Sequence, residues 1–498
     1  MKNKKALMNS YKKEDYRLQV TVRSGKLLVK NVPCRIYLPG KITDPISLEF
    51  HLDEKKGSSL LGLFDGAIQG KLKDTSGDVR SQIHATKVYF SNKKKQMWGD
   101  GSEITMTGIP RDLTITTLLK KGKNHNREHP ITGSFWITPS EMLSPDQNIH
   151  LSYTGEVNVE TLERKQFTLP NDISLSFNKH FRHVTDDYND LITFSELVAE
   201  YEITGTAKNH DRIILDSLTY LDDFLLLVSF AARQPCICLG WEQSNAIKWT
   251  KHYRRDRIVP PIVEAANQNQ ALIDVSRFED FFPPAYRHFM DFEPREFLRR
   301  ALGNLVFQYG RNISEGSFLT LYSAFETLIL WFRGKSNLEK ILPDSEWSQF
   351  QKNFKKWIKA DPSFSQSSER RKLFYENLRG MNRISLSTAF AKFCSDFSIY
   401  TQDLWPAFEN EGGPSLSRIR NKLIHGVPLD PQQIKFLIPA YVHLRTLVER
   451  SILAILQWPI EESSVYTGAT DEYGGRSWKE ARESLKQAFI DFPELSGP

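Results

Sequence analysis

The hydrophobic period changes once along this chain, and the change limits what it can fold into. Through residues 16–205 apolar and polar residues alternate, as in 18–22 (LQVTV), 46–52 (ISLEFHL), 104–108, 131–137, 149–153 and 173–177. A period of two places successive side chains on opposite faces of a strand, so each segment buries one face. Turn residues separate these segments at moderate spacing, which predicts a mostly antiparallel sandwich or barrel. From residue 211 the period becomes helical. The stretch 211–232 puts Leu215, Leu218, Leu221, Phe224 and Leu225 close to one side of a helix. Residues 236–240 then read as a strand. Further helical patterns follow over 294–309, 317–332, 346–360, 367–379, 387–398 and 430–458, and the last at 476–491 is amphipathic. The expected architecture is therefore α+β and multidomain. A basic tail (1–15) precedes a β-rich antiparallel domain (16–205). An αβ connector (206–290) leads into an all-α helical domain (291–498).

Composition excludes several classes. The 498 residues include four cysteines, Cys34, Cys236, Cys238 and Cys394, with no CxxC pair and no zinc-like spacing. Reduced thiols and a reducing, cytoplasmic compartment are expected. The N-terminus lacks an apolar leader core, and the longest apolar run, 224–232, is far short of a membrane span. The net charge of +6 is compatible with nucleic acid without requiring it. No phosphate-binding glycine loop, dinucleotide fingerprint or Gly-x-Ser-x-Gly elbow is present. His180 and His183 form an HxxH with no third ligand nearby, so no metal and no cofactor are expected.

Three stretches have a composition suited to RNA. Residues 92–98 (NKKKQMW) and 119–130, the latter with His125 and His129, are basic and read first as solvated hairpin loops. Residues 248–257 (KWTKHYRRDR) interleave cations with aromatics. That pattern suits RNA, with cations on phosphates and rings on bases, and equally suits an amphipathic strand. The basic faces at 352–359 and 370–372 read as solvated helix surface.

Residues 414–428 (PSLSRIRNKLIHGVP) read as a short helix with a clean stop. Ser415 suits the N-cap, Leu416, Ile419 and Leu423 share an apolar face, and Gly426 suits a left-handed end before Pro428. The helix closes on His425. Asn421 lies four residues earlier, so its amide is expected against the imidazole. Arg418 lies near that face, and Arg420 reaches it on a long stem. A guanidinium binds phosphate through two parallel hydrogen bonds, and an imidazole exchanges protons near neutrality. Together they suit cleavage of a phosphodiester without a metal. The same residues also suit a basic helix end that complements the helix dipole.

The run Arg420-Asn421-x-x-x-His425-Gly426 resembles the catalytic motif of HEPN-domain ribonucleases. Residues 317–332 (SFLTLYSAFETLILWF) resemble the long core helix of that group, with an acid at Glu326. The order of core helix, variable helical insert and motif helix is most similar to ApeA-like HEPN proteins of bacterial anti-phage defence. The resemblance implies an endoribonuclease acting in abortive infection on tRNA or another host RNA. Arg420, Asn421 and His425 would be catalytic, Arg418 and Lys422 would contact substrate, and Glu326 would support the site. It also implies a homodimer whose two motif helices face one cleft. The β-rich domain would sense a phage-derived trigger. HEPN domains also serve as non-catalytic nucleotide-, RNA- or protein-binding modules, and the motif by itself leaves that alternative open.

Overall fold

A computed structural model describes residues 15–38, 46–53, 60, 66–73, 79–98, 101–118, 128–151, 157–163, 165–170, 173–185, 191–206, 210–244, 248–254, 271–365, 367–378, 380–408, 415–426, 431–466, 472–473 and 476–477. The expected basic tail (all but its last residue), most of the 119–130 loop with His125, and the expected final helix beyond residue 477 lie outside the described residues. The chain divides into two compact units, Met1–Ala266 and Asn267–Pro498.

The first unit is antiparallel. Its strands in chain order are β1 (Asp15–Ser24), β2 (Leu27–Tyr37), β3 (Ser47–Asp53), β4 (Gly66–Lys73), β5 (Val79–Trp98), β6 (Gly101–Ile109), β7 (Asp112–Leu118) and β8 (Glu128–Ile137). They continue as β9 (Asp146–Leu151), β10 (Val157–Glu163), β11 (Gln166–Leu169), β12 (Ile173–Thr185) and β13 (Leu191–Thr206). Helix α1 (His210–Ala232) is followed by β14 (Cys238–Ser244) and β15 (Lys248–Arg254). Pairing in the order β5-β4-β1-β2-β3-β6, with β6 returning to β5, closes a ring. From β5 the same sheet continues outward through β7, β15, β14, β8, β13, β12 and β11.

Strand β5 serves both parts. Its first half pairs with β4 and β7, and its second half pairs with β6 from Tyr89↔Ile109 to Trp98↔Gly101. The handover falls at Lys87, where φ is +49° and the register against β4 slips. An extra residue there bends the strand, which lets one strand belong to two sheet segments. The basic stretch 92–98 is therefore strand and not hairpin loop: pairing with β6 satisfies its backbone.

The alternation read from sequence sets the barrel core. In β3, Leu48, Phe50 and Leu52 point inward and their neighbours outward. Val20, Val22, Ile36, Phe50 and Phe90 meet in one cluster. A Cβ on Gly108 would sit 2.8 Å from the Phe50 ring, so only glycine fits where that ring crosses.

Helix α1 covers the outer sheet segment. Phe224 packs on Phe167 and Phe177, with ring centroids 5.2 and 5.7 Å away. Leu218, Leu221 and Leu225 are buried as expected, but Leu215 is 60% exposed. The buried stripe drifts around the helix and leaves Leu215 outside its first turns.

The structure thus divides the stretch expected as a connector. Helix α1, β14 and β15 belong to the β-rich unit because β14 and β15 fill the gap between β8 and β7. Residues 271–290 belong to the helical unit.

The helical unit contains α2 (Phe278–Asp291), α3 (Arg295–Val306), α4 (Glu315–Lys335), α5 (Asp344–Ala360), α6 (Pro362–Ser365) and α7 (Ser368–Leu378). It continues with α8 (Leu386–Asp396), α9 (Leu416–Ile424) and α10 (Pro431–Ile455). Helix α4 lies at its centre, in contact with α3, α8, α9 and α10. Its start is fixed by reciprocal bonds between Ser314 and Ser317, a capping box that satisfies two orphan donors. Leu321, Phe325, Leu328, Ile329 and Phe332 are buried around it, consistent with its nearly all-round apolar sequence.

Helices α5 to α7 form the insert between the core helix and the motif helix. Within α5 only Ile358 is buried, and within α7 only Leu378. The neck of the insert is tied by Asn382, whose amide donates to Leu342 O at 2.9 Å and accepts from Leu342 N at 2.7 Å.

Candidate functional site

The site forms where α9 crosses α4. Ser415 caps α9, its hydroxyl accepting from Arg418 N at 3.2 Å. Gly426 ends it at φ +72°, as its left-handed role requires. Leu416, Ile419, Lys422 and Leu423 are buried. This buried face fixes the rotation of the helix and thereby the direction of every other side chain on it.

Arg420 lies at the edge of that face. Its Nη2 is 3.2 Å from Glu326 Oε1 and donates to Glu326 Oε2 at 3.4 Å. Its Nη1 donates to Asn421 Oδ1 at 3.0 Å. The guanidinium stands 5.8 Å from the centre of the Tyr322 ring. Tyr322 precedes Glu326 by one helical turn, so both reach Arg420 from the same face of α4. The Tyr322 phenol is pushed above its usual range, first by burial and then by the Glu326 carboxylate; Arg420 and a bond with Ser417 pull the other way. It therefore stays a neutral hydroxyl at working pH.

The ion pair is only partly shielded. The Arg420 side chain is 30% exposed and that of Glu326 is 24% exposed. Pairs of this kind contribute about 0.2–1 kcal/mol. The contact orients a guanidinium without locking it, and a competing anion can take its place.

His425 closes α9. Its backbone N donates to Asn421 O at 3.1 Å. Its side chain is exposed and has no hydrogen-bond or ion-pair partner among the described residues. Ile424 beside it is 52% exposed. The expected contact between the Asn421 amide and the imidazole is not made; the amide oxygen instead accepts from Arg420.

Sequence reading placed Arg420, Asn421 and His425 on one short helix and Glu326 on the central helix; the structure joins Arg420 to Glu326 and Asn421, and leaves the His425 side chain without a partner among the described residues. It places Arg418 half-buried near the start of α9. Lys422, expected as a substrate contact, is only 6% exposed and lies with the buried residues of the helix. It sits about 200° around the helix from Arg420, which turns it into the bundle. Tyr322 was not singled out from sequence. Its position four residues before Glu326 is the signal that would have found it.

The basic and aromatic stretch at 248–254 is internal to the β-rich unit. Lys251 is 1% exposed and stands 4.4 Å from the Trp249 ring. His252 stacks on Trp241 with centroids 3.9 Å apart, and Arg254 makes paired bonds of 3.0 and 2.9 Å to Asp222. His252 ties β15 to β14 through Trp241 and to β7 through a 2.7 Å hydrogen bond with Thr114, and Arg254 ties β15 to α1, which favours the strand reading over an RNA surface; residues 255–257 lie outside the described residues. Both histidines of the HxxH lie in β12. Among the described residues no group of three His, Cys, Asp or Glu is placed to hold a metal ion, and no helix is long and apolar enough to cross a membrane.

Comparison with protein-family models, with curated proteins and with solved structures finds no match. The functional reading rests on the geometry of the helix crossing and on the motif.

Proposed function

We propose that the protein is an RNA endoribonuclease of the HEPN type that needs no metal for its chemical step. The observation that carries the reading is an exposed, uncommitted imidazole at the end of a helix whose preceding turn holds a guanidinium at its edge. Cleavage proceeds by attack of a ribose 2′-hydroxyl on the adjacent phosphorus. The 2′-oxygen loses its proton, the bond to the 5′-oxygen breaks, and that oxygen gains a proton. The products are a 2′,3′-cyclic phosphate and a 5′-hydroxyl. His425 serves as the base or the acid of this exchange, a role worth about 10²–10⁴-fold. Arg420 binds the phosphate oxygens and stabilises the charge that develops there. Asn421 holds Arg420 in place, and Tyr322 supports it from below.

One imidazole supplies one proton-transfer role, so the mechanism is completed by a homodimer that brings two α9 helices to one cleft. The exposed Ile424 beside His425 supports such a contact. Glu326 holds Arg420 in the resting chain, and a substrate phosphate must displace it. A contact of that strength biases Arg420 without shutting the site off, so the restraint that a cytoplasmic nuclease directed at tRNA or other host RNA in anti-phage abortive infection needs comes from elsewhere in the chain. The β-rich unit is then the sensor. A second reading, a non-catalytic RNA-, nucleotide- or protein-binding module, is favoured by one feature: Arg420 engages Glu326 and Asn421 and not His425.

Expression of wild type and His425→Ala, with and without phage challenge, followed by sequencing of RNA ends, separates the two. New ends carrying 2′,3′-cyclic phosphate only with an intact His425, and undiminished when the purified protein cleaves in EDTA, are expected. Equal ends from both proteins, or none under any challenge, refute catalysis.

A further inference from the structure

The barrel of the β-rich unit turns a basic face to solvent. Strands β2, β1 and β4 are neighbours in the sheet. Val20, Val22, Ile36 and Ile68 fill the barrel core, so alternation sends Arg17, Gln19, Thr21 and Arg23 of β1 outward, with Arg35 on β2 and Lys71 on β4. Register sets these side chains beside one another. Arg17 is directly opposite Arg35, and Arg23 is opposite Leu28 at the end closed by the turn that holds Lys26. Thr21 is opposite Gln69, which is two residues from Lys71. Between Val20 and Val22 the register slips, so Lys30 and Asn31 both stand across from Thr21. This bulge, with Asn31 at φ +54°, keeps both side chains exposed while Val29 and Val32 stay inside. From Arg17 to Arg23 the stripe of cations runs about 20 Å, at about 3.4 Å per residue.

The charge on this face is one-sided. Apart from Asp15 at the start of β1, none of the three strands contains an acidic residue. Arg23, Lys26, Lys30 and Lys71 are exposed and have no ion-pair partner among the described residues. Acids mark its borders instead: Glu49 on β3, opposite Arg35, and Asp112 on β7, opposite Thr86 of β5. Like charges directly opposite one another, as Arg17 and Arg35 are, destabilise a sheet, and an anion between them removes that cost. Of the outward side chains on the three strands only Leu28, Pro33 and Ala67 are apolar. A protein partner needs an apolar centre to dock on, whereas nucleic-acid interfaces are polar and strongly basic. Tyr37, the ring among these outward side chains, is half-buried; Arg35 lies 4.7 Å from its centre and its hydroxyl donates to Glu49 at 3.2 Å. Unpaired bases therefore find no stacking platform here, and the face suits a duplex whose bases are already stacked on one another.

We infer that the outer face of β2, β1 and β4 binds the phosphate backbone of double-stranded RNA. Arg17, Arg35 and Lys71 hold phosphates at one end of the stripe, and Arg23, Lys26 and Lys30 at the other. Gln19, Thr21 and Gln69 lie among these cations and offer amides and a hydroxyl to ribose 2′-hydroxyls, the groups by which a protein tells RNA from DNA. The inference rests on the ribonuclease reading for its biological sense and gives the β-rich unit a ligand of its own.

The test uses the full-length His425→Ala chain, which lacks the proposed proton-transfer group and so leaves the probe intact. The probe is a short fluorescein-labelled RNA duplex, read by anisotropy over a range of salt. Log affinity is expected to fall linearly with log salt. Arg23→Ala, Lys30→Ala and Lys71→Ala combined should lower the slope by about 2.7, from about 0.9 per phosphate contact on a duplex, and weaken a second duplex of unrelated sequence equally. A matched control in the helical unit, Lys352→Ala, Lys356→Ala and Lys359→Ala combined, should keep affinity and slope. All six residues are exposed, so folding holds, which a thermal melt verifies. A DNA duplex of the same sequence should bind more weakly. Absence of probe binding, an unchanged slope in the barrel variant, or an equal loss in the control variant overturns the inference, and so does DNA bound as tightly as RNA. If the barrel substitutions, placed in the otherwise wild-type chain, abolish the response to phage while probe binding persists, the face belongs to an acidic protein and the inference falls as well. Because no active nuclease is present in the binding assay, its failure leaves the nuclease reading standing, and RNA ends independent of His425 would sink that reading alone.

Discussion

Asp403→Asn tests how the end of the long helix α10 is held. Arg450 is completely buried, and all five of its N–H donors are used. Its Nε donates to Val465 O at 2.8 Å. Its Nη1 donates to Tyr400 O at 2.9 Å and to Asp403 Oδ1 at 2.7 Å. Its Nη2 donates to Asp403 Oδ2 at 2.8 Å and to Tyr466 O at 2.9 Å. One side chain thereby pins two segments, around 400–403 and 465–466, to α10. Asp403 supplies the only opposite charge among these partners. Replacing it with Asn keeps the shape, removes the charge and turns an N–H₂ toward a guanidinium that cannot lose its proton. Removing one partner of a buried pair costs about 3–5 kcal/mol. At about 2–4 °C per kcal/mol for a domain of this size, the transition of the helical unit should fall by roughly 6–20 °C. A urea titration followed by far-UV circular dichroism, with calorimetry of the same variant, measures it. In a double-mutant cycle, Asp403→Asn and Arg450→Met should be non-additive by about 0.5–3 kcal/mol. A loss below about 1 kcal/mol in Asp403→Asn, or singles that add within error, would refute the idea that charge pairing holds this corner.

Two further outcomes follow from the two units. Glu326→Gln should change stability by no more than about 1 kcal/mol, because the pair with Arg420 is partly exposed. It should release Arg420 to phosphate and so raise toxicity on expression without phage; lost cleavage at an unchanged melting temperature would instead give Glu326 a direct catalytic part. The β-rich unit should weaken in alkali. Burial pushes Cys34 and Cys236 up to about 12 and Cys238 up to about 11, from an ordinary value of 9.0. Folded thiols hold protons that unfolded thiols have released, so stability is full below about pH 9 and declines as pH rises toward 12. Denaturation midpoints from pH 7 to 11 should show the decline, and Cys34→Val should flatten it; an unchanged slope would remove these thiols as its cause.

Local pattern determined much of this protein. Alternation over residues 16–205 located strands and their inward faces, because a period of two has one physical meaning on a pleated ribbon. The caps at Ser415 and Gly426 located the motif helix, and the apolar row of residues 317–332 located its central partner, because capping and burial are decided within a few residues. What sequence alone left open depends on neighbours distant in the chain. The closure of β6 onto β5 and the insertion of β14 and β15 between β7 and β8 come from pairing across long separations, which no local period encodes. For the same reason the stretch 248–254 suited an RNA surface and an amphipathic strand equally, whereas in the fold Arg254 ties β15 to α1 and His252 ties it to β14 and β7. At the candidate site, sequence named Arg420, Asn421, His425 and Glu326. Only the packing of α9 on α4 decided that Arg420 turns to Glu326, that Lys422 turns inward, and that His425 is left exposed to water.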